Sequence, residues 1–350
     1  MTGKTRGRDL DYVFLICSER SGSNLISTMM AAHSRVKSPP PYHFARDVIL
    51  NLHLAGGGDQ ASAGWPVLRD QLLKRVRMLG SEDQAQALTA WLDRHPKASV
   101  KELAEFVYAG LDPKPATTVF VKENNIHKVL FFILTVFPDA KFVFQVRDPR
   151  DYLVSAHKLR KVWLGNKFGS NRHAMTVWRE DQLGGLALLG LLGPQRVFFQ
   201  RYEDLVSRPR EVLQPLCKFL GLEFEEAMLG FHESEGAAQR STGSARANLS
   251  KPLMTGNFGQ YRKGLSRGQI RTVEAWLGDL MDRFGYAREF PNAGRPGPLE
   301  AFGSQLGEPL ERLMNKEVAP FYATGQKRFF AKLREVPAPV ARPYDTPGKP

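Results

Sequence analysis

The chain has 350 residues, enough for one large α/β domain or two smaller ones with a substantial core. Hydrophobic residues make up 42% of the sequence and charged residues 24%, a balance that excludes disordered, collagenous and membrane-spanning classes. Lysine and arginine outnumber the acidic residues by 49 to 36, and the net charge of +13 favours an anionic partner: nucleic acid, a membrane surface or a phosphate.

Cysteine content and the N-terminal hydropathy suggest a compartment. The two cysteines, Cys17 and Cys217, exclude a disulfide framework and a four-cysteine zinc site. The first apolar run, Tyr12 to Cys17, is too short for a signal-peptide core or a membrane span. We therefore expect a cytoplasmic protein.

Short β-branched and aromatic runs alternate along the chain with stretches of helical spacing. This alternation predicts an α/β fold with a doubly wound, mainly parallel central sheet flanked by helices. The predicted strands are residues 12–17, 117–121, 141–146 and 197–200, and the predicted helices are 25–32, 127–137, 150–162, 211–220 and 269–284.

Two segments depart from the alternation. Residues 51–116 contain three glycines in a row and then amphipathic stretches, which predicts a helical insertion in a domain spanning residues 1–290. Residues 291–350 read as a C-terminal appendage, a helix at 299–315 followed by a proline-rich tail. That helix offers a surface for a homo-oligomer. The insertion helices are predicted at 66–79, 81–94 and 99–109.

The loop after the first predicted strand has the composition of an anion cradle. Residues 18–24 combine a glycine and small hydroxyl side chains with Arg20, directly before a helix. Backbone N–H groups at a helix N-terminus bind phosphates, so this loop predicts a phosphate site. An ordinary turn with Ser23 or Asn24 as the N-cap is the alternative. No lysine follows Gly22, and this disfavours ATP hydrolysis.

A second basic cluster follows the predicted strand 141–146. Asp148 as N-cap, Pro149 at the first helical position and Asp151 in the first turn predict a helix start. Arg147 then stands at the carboxyl end of a strand, where open α/β sheets bind ligands. Ser155 lies four residues after Asp151, on the same helix face. A capped surface helix with solvated charges is the alternative.

Together these segments resemble sulfotransferases that use 3′-phosphoadenosine 5′-phosphosulfate (PAPS), with their P-loop-like fold. Residues 20–25 resemble that family's 5′-phosphosulfate loop, and residues 147–155 resemble its 3′-phosphate motif, with arginine and serine eight residues apart. The resemblance covers roughly residues 12–46 and 117–290. Further similar segments are residues 119–122, 137–142, 201–205, 219–222 and 256–266.

The resemblance implies a sulfotransferase with PAPS as its sulfuryl donor. In-line transfer of the sulfuryl group to a hydroxyl or amine would need positioning and charge stabilisation, and no metal is expected. The residues implied at the 5′-phosphosulfate are Arg20, Ser21, Gly22, Ser23, Asn24 and Leu25, and those at the 3′-phosphate are Arg147 and Ser155. Tyr202 is implied near the adenine. A closing element contributes Gly259, Arg262 and Lys263, and its two basic residues would reach the 3′-phosphate.

The same resemblance assigns the charge-stabilising roles. Arg20 would stabilise the leaving oxygen, and Lys122 would assist there or at the sulfuryl group. Arg262 and Lys263 are also compatible with a solvated basic pair, and Tyr202 with a partly buried core tyrosine.

The general base is left open among three residues. Many relatives carry a glutamate after the first helix, but Pro41 occupies the aligned position here, and His43 is the titratable residue nearby. An unperturbed histidine pKa near ~6.5 suits a base at neutral pH. Glu123 and His127, which follow Lys122, are the rivals.

The acceptor is expected to be a small molecule, lipid or carbohydrate with a hydroxyl group, and no specific nucleic acid is expected. Residues 43–51, the insertion and residues 163–178 are the predicted pocket walls, and their apolar side chains favour a hydrophobic or amphiphilic alcohol, a phenol or a lipid-linked hydroxyl.

Three alternatives remain. The basic-aromatic stretch 327–334 suggests a nucleic-acid-binding protein. The phosphate loop also admits a nucleotide kinase or a PAPS-binding relative without activity.

Overall fold

The computed structural model describes residues 10–58, 60–123, 126–160, 170–234 and 247–294. Within them lies a sheet of five strands: β1 (Asp11–Ile16), β2 (Val36–Lys37), β3 (Thr118–Lys122), β4 (Lys141–Val146) and β5 (Val197–Arg201). The strand order is β2-β3-β1-β4-β5, and every neighbouring pair is parallel. The chain therefore winds first to one side of β1 and then to the other, which confirms the predicted doubly wound α/β class.

Helices flank this sheet. In chain order they are α1 (Ser23–Ala32), α2 (Phe44–Asp47), α3 (Trp65–Leu79), α4 (Glu82–Arg94), α5 (Val100–Glu105), α6 (Leu130–Val136), α7 (Pro149–Arg160), α8 (Asn171–Leu192), α9 (Tyr202–Ser207), α10 (Pro209–Leu220), α11 (Tyr261–Gly264) and α12 (Arg267–Arg283). Short 3-10 turns lie at Ile49–Gly58, Ile126–Val129, Glu226–Met228, Phe231–Glu233 and Ala247–Ser250, and a π-helical turn lies at Phe106–Gly110.

Both faces of the sheet are buried. Along β1, Phe14 and Ile16 join an apolar cluster with the insertion helices and α8, whereas Val13 and Leu15 join a second cluster with α1 and α10. A parallel sheet covered on both faces needs apolar residues at successive positions rather than every second one. That requirement explains the uninterrupted apolar runs from which the strands were predicted.

Helix α8 was not predicted, and its glycines explain why. Gly184 and Gly185 weaken the helical signal. Here they permit close packing, because a Cβ on Gly184 would lie 2.6 Å from the Cβ of His127, and one on Gly185 would lie 2.2 Å from the ring of Phe144. Helix α8 therefore lies directly against the turn after β3 and against β4.

Helices α3 to α5 occupy the stretch for which insertion helices were predicted. The predicted C-terminal helix and tail, and the basic-aromatic stretch 327–334, lie outside the described residues. Within the described part of the chain, no helix combines the length and apolarity that a membrane crossing requires.

Candidate active site

The loop between β1 and α1 has a backbone that few side chains allow. Arg20 and Gly22 both have positive φ, 70° and 83°. A Cβ on Gly22 would lie 2.2 Å from Cδ2 of the Tyr202 ring, so only glycine fits beneath that ring. The Gln145 amide donates a 2.6 Å hydrogen bond to the carbonyl of Ser21. The loop is thus held in place by contacts with Gln145 of β4 and Tyr202 of α9.

The two basic motifs identified in the sequence meet at this loop. Nε of Arg20 donates to Oγ of Ser155 at 3.1 Å, and Nη1 of Arg147 donates to the Arg20 carbonyl at 2.9 Å. The Arg147 guanidinium also lies 4.4 Å from the centre of the Tyr202 ring. Residues 20, 147, 155 and 202 therefore form one site at the carboxyl ends of β1, β4 and β5.

The electrostatics of this site favour an anion. Burial and then the neighbouring charge of Arg147 lower the pKa of the Arg20 guanidinium. A bound anion offsets such repulsion between like charges.

Two buried hydrogen-bond donors of this site also favour a bound anion. Nε of Arg147 and Oγ of Ser21 are buried without a hydrogen-bond partner among the described residues. Buried donors without partners are uncommon in folded proteins. These atoms fit a phosphate group, which accepts several hydrogen bonds.

The other predicted residues of the loop have separate positions. Ser23 is buried as the first residue of α1, Asn24 lines a neighbouring cavity, and Leu25 packs against the core. Gly22 is the residue before the helix and adopts the left-handed conformation. The N-terminus of α1 therefore opens at the loop, as the sequence predicts.

The closing element, residues 256–266, is attached through Asp151. Its carboxylate accepts the backbone N–H of Gly259 at 2.6 Å and that of Tyr261 at 2.8 Å. The amide of Asn257 donates to the Tyr202 hydroxyl at 2.9 Å. These bonds hold the segment beside the Arg147–Tyr202 pair.

The two basic residues of this element lie at the surface. The Arg262 side chain is 66% exposed, and its Nε lies 3.5 Å from the Glu289 carboxylate. Lys263 is also exposed. The structure thus brings the backbone of the element to the site, whereas the Arg262 guanidinium pairs elsewhere.

A buried carboxylate after β3 fixes the turn that contains His43. The two Glu123 oxygens accept the backbone N–H groups of Phe44 and Ala45 at 2.8 and 2.7 Å. Burial raises the pKa of Glu123 to about 7. Since both oxygens are occupied by backbone donors, the geometry favours a positioning role for Glu123.

His43 itself adopts a left-handed backbone with φ of 59°. Its Nδ1 is buried and has no hydrogen-bond partner among the described residues. Burial, followed by the charge of Arg46, holds the pKa of His43 well below its usual 6.5. The imidazole is therefore neutral at pH 7, in the form that accepts a proton.

The third base candidate, His127, contacts a carboxylate of helix α8. Nδ1 of His127 lies 3.3 Å from the Asp181 carboxylate of α8. This ion-pair geometry ties the turn after β3 to α8.

Sequence reasoning missed the acid that supports the His43 turn. Asp47 accepts hydrogen bonds from Nε of Arg46 at 2.6 Å, from Gln71 at 2.8 Å and from Nε of Arg75 at 2.8 Å. Gln71 and Arg75 belong to α3, so the insertion braces this turn. Two polar residues one helical turn apart on a mainly apolar face of α3 were the available signal.

A cavity of about 970 Å³ adjoins the loop. Asn24 and Lys122 belong to its lining, and much of the remainder comes from residues 38–42 and the insertion. The predicted wall 43–51 does not line it, because α2 turns that segment into the core, where Phe44, Ala45 and Val48 are buried. Trp178 is buried too, its indole donating to the Arg147 carbonyl at 3.1 Å, and residues 163–169 lie outside the described residues.

Comparisons with known proteins agree with this architecture. The sulfotransferase family model matches residues 12–226. Protein-tyrosine sulfotransferase 1 of Danio rerio is 24% identical over 305 residues, covering 83% of this chain and 77% of the relative. Protein-tyrosine sulfotransferase 2 of Gallus gallus is 23% identical over 300 residues, covering 83% and 74%. The sulfotransferase domain of the Synechococcus PCC 7002 olefin synthase shares the fold with a TM-score of 0.59 at 21% identity, covering 82% of this chain and 99% of that domain.

The parallel sheet, the anion site at its carboxyl edge and the match over residues 12–226 define the class of protein. The chain belongs to the sulfotransferase family, as the sequence motifs predicted.

Proposed function

We propose that this sulfotransferase moves a sulfuryl group from PAPS to an acceptor hydroxyl. The observation that carries the proposal is the convergence of Arg20, Arg147 and Ser155 on the β1–α1 loop. The two motifs come from distant parts of the chain, and their contact creates a cationic site in which two buried donors lack partners within the described ranges.

Each group of the donor has candidate residues. PAPS, when bound, supplies the sulfuryl group and a phosphate leaving group. The loop N–H groups and the N-terminus of α1 would hold the 5′-phosphosulfate, and Arg147 with Ser155 would hold the 3′-phosphate. Tyr202, which covers Gly22 and stacks on Arg147, would border the adenine. The family resemblance also implies that Arg262 and Lys263 bind the 3′-phosphate. Both lie at the surface, so they would bind it only if their side chains turned toward it.

Four side chains would serve the transfer itself. His43 accepts the acceptor proton, because its imidazole is neutral and its Nδ1 has no hydrogen-bond partner in the part of the chain that the structure describes. Glu123 positions His43 through the two backbone bonds to α2. Arg20 and Lys122 stabilise negative charge as the donor bond breaks.

The cavity supports a hydroxylated acceptor with a sizeable apolar body. Its lining includes Pro39, Pro40, Pro41, Leu111 and Leu249, together with the amphipathic Tyr42. The two vertebrate relatives are named as sulfotransferases of protein tyrosine, a residue whose side chain carries a phenolic hydroxyl. A phenol or alcohol is therefore the acceptor class that we propose here.

The test is release of 3′-phosphoadenosine 5′-phosphate (PAP) from PAPS with 2-naphthol, 1-octanol or a tyrosine peptide as acceptor. We expect acceptor-dependent release, and Arg20→Ala should lower turnover more than PAPS affinity. Exposed Arg210, paired with Glu226 far from the loop in sequence, gives the matched control Arg210→Ala. PAP binding without turnover of any acceptor would indicate a non-catalytic relative.

A further inference from the structure

Tyr108 lies in the π-helical turn Phe106–Gly110, where the N–H of Leu111 donates to the Phe106 carbonyl at 3.1 Å. Single π-helical turns are rare and occur frequently at functional sites. The Tyr108 side chain is 1% exposed, and its hydroxyl has no hydrogen-bond partner among the described residues. A buried hydroxyl without a partner costs free energy, so its retention needs an explanation.

The position of Tyr108 links the cavity to the His43 turn. Tyr108 lines the 970 Å³ cavity together with Lys122. Its ring meets that of Phe44, the residue after His43, edge-on at 5.6 Å. Burial and then the nearby charge of Glu123 hold the pKa of the Tyr108 phenol well above 10, so the phenol keeps its proton. Tyr108 is therefore a hydrogen-bond donor beside the base turn.

Another tyrosine of the same cavity provides a contrast. The Tyr42 hydroxyl donates to Oε1 of Gln84 at 3.1 Å and is thus engaged within the protein. The two residues line one cavity and are equally buried, but the Tyr108 hydroxyl makes no such bond to any residue that the structure describes.

We propose that Tyr108 is an acceptor-binding residue whose hydroxyl donates a hydrogen bond to the acceptor oxygen and orients it beside Lys122. The inference rests on the proposed function and specifies its substrate class. A volume of about 970 Å³ lies near the upper end of ligand pockets, which hold about 300–1,000 Å³. The acceptor is accordingly a phenol or alcohol with an apolar body larger than one aromatic ring. Because Tyr108 belongs to the insertion, this proposal gives the insertion a role in acceptor binding.

The experiment compares two probes of matched shape, 2-naphthol and 2-methylnaphthalene, on protein first saturated with PAP. Wild-type protein should bind 2-naphthol more tightly, because only that probe carries a hydroxyl. Tyr108→Phe should weaken 2-naphthol binding about tenfold and leave 2-methylnaphthalene binding unchanged, with a melting temperature equal to or above that of wild type. The control is Tyr286→Phe, a buried tyrosine that does not belong to the cavity lining; it should keep 2-naphthol affinity within about twofold and lower the melting temperature, since it breaks the 2.8 Å hydrogen bond to Glu203.

Two results would overturn the inference: 2-naphthol binding that is equal in Tyr108→Phe and wild type, or no preference of wild type for 2-naphthol over 2-methylnaphthalene. Failure of the proposed function gives a different signature, because PAP would then fail to bind in the saturation step. The naphthol comparison can still be made on the protein without PAP, so the role of Tyr108 is decided in either case.

Discussion

Burial shifts the pKa values of two base candidates, His43 and Glu123, in opposite directions. His43 lies in the backbone turn that Glu123 holds by hydrogen bonds. Burial lowers the pKa of the histidine, which keeps the imidazole neutral, and it raises the pKa of the glutamate to about 7. Both oxygens of the Glu123 carboxylate accept hydrogen bonds from backbone N–H groups. A base needs a free acceptor atom, and Nδ1 of His43 has no hydrogen-bond partner among the described residues, which supports the proposal that His43 is the base.

Substitution of His43 tests this division. His43→Asn removes the base and retains a residue that tolerates the left-handed backbone. We expect kcat to fall by about 10²- to 10⁴-fold with PAP affinity unchanged, and added imidazole to restore part of the rate. Steady-state kinetics measure this; an undiminished kcat would show that the base lies elsewhere.

Glu123 predicts a pH-dependent stability. Its folded pKa of about 7 exceeds the ordinary glutamate value of 4.5, so between these pH values the folded state holds a proton that the unfolded state has released. Stability then falls with rising pH, by about 1.4 kcal/mol per unit for this one group. Glu123→Gln removes the titration, so the variant should gain stability relative to wild type as the pH rises from 5 to 7.

Urea unfolding of both proteins across this range measures the difference. Glu226→Gln is the control, since Glu226 is an exposed partner of Arg210 and should behave as wild type. A wild-type advantage that stays constant or grows toward pH 7 would contradict the assignment.

At the scale of elements, the β1–α1 loop and helix α8 use glycine for different reasons. Gly22 combines positive φ with a ring that a Cβ would meet at 2.2 Å. A Cβ on Gly190 in α8 would meet no described atom within 4 Å beyond its chain neighbours and the backbone of its own helix. The loop glycine is thus required by the site, whereas Gly190 is a helix position that alanine can fill.

A matched pair of alanine variants follows. Gly190→Ala should raise the free energy of unfolding by about 0.5–1 kcal/mol, because alanine favours the helix, and should leave PAP affinity unchanged. Gly22→Ala should weaken PAP binding at least tenfold, through backbone strain and displacement of Tyr202. Urea unfolding and calorimetry measure the two effects. Wild-type PAP affinity in Gly22→Ala would contradict the loop assignment.

At the scale of the whole molecule, the sequence predicted what local patterns encode. The apolar runs located four strands within about one residue, and the structure brings the two motifs together because Arg147 and Arg20 each follow a strand. Strand β2 was missed because two residues, Val36–Lys37, carry no periodicity.

Contacts between distant segments were beyond prediction. The bonds from Glu123 to the α2 backbone, and the Asp47 network with α3, depend on how the insertion packs against β3. Neither residue type nor spacing encodes those contacts. The same holds for Tyr108, whose importance depends on a cavity that several segments line.

The central claim is that this chain binds a 3′-phosphorylated adenosine nucleotide at the Arg20–Arg147 site, and calorimetric titration with PAP tests it most directly. We predict micromolar PAP binding, much weaker binding of AMP and ATP, and a loss of about 1.5–3 kcal/mol in Arg147→Ala, the value of a charge-assisted hydrogen bond. Arg210→Ala, the surface control, should bind PAP as wild type does. PAP affinity that is no stronger than AMP affinity, or that is unchanged in Arg147→Ala, would contradict the account.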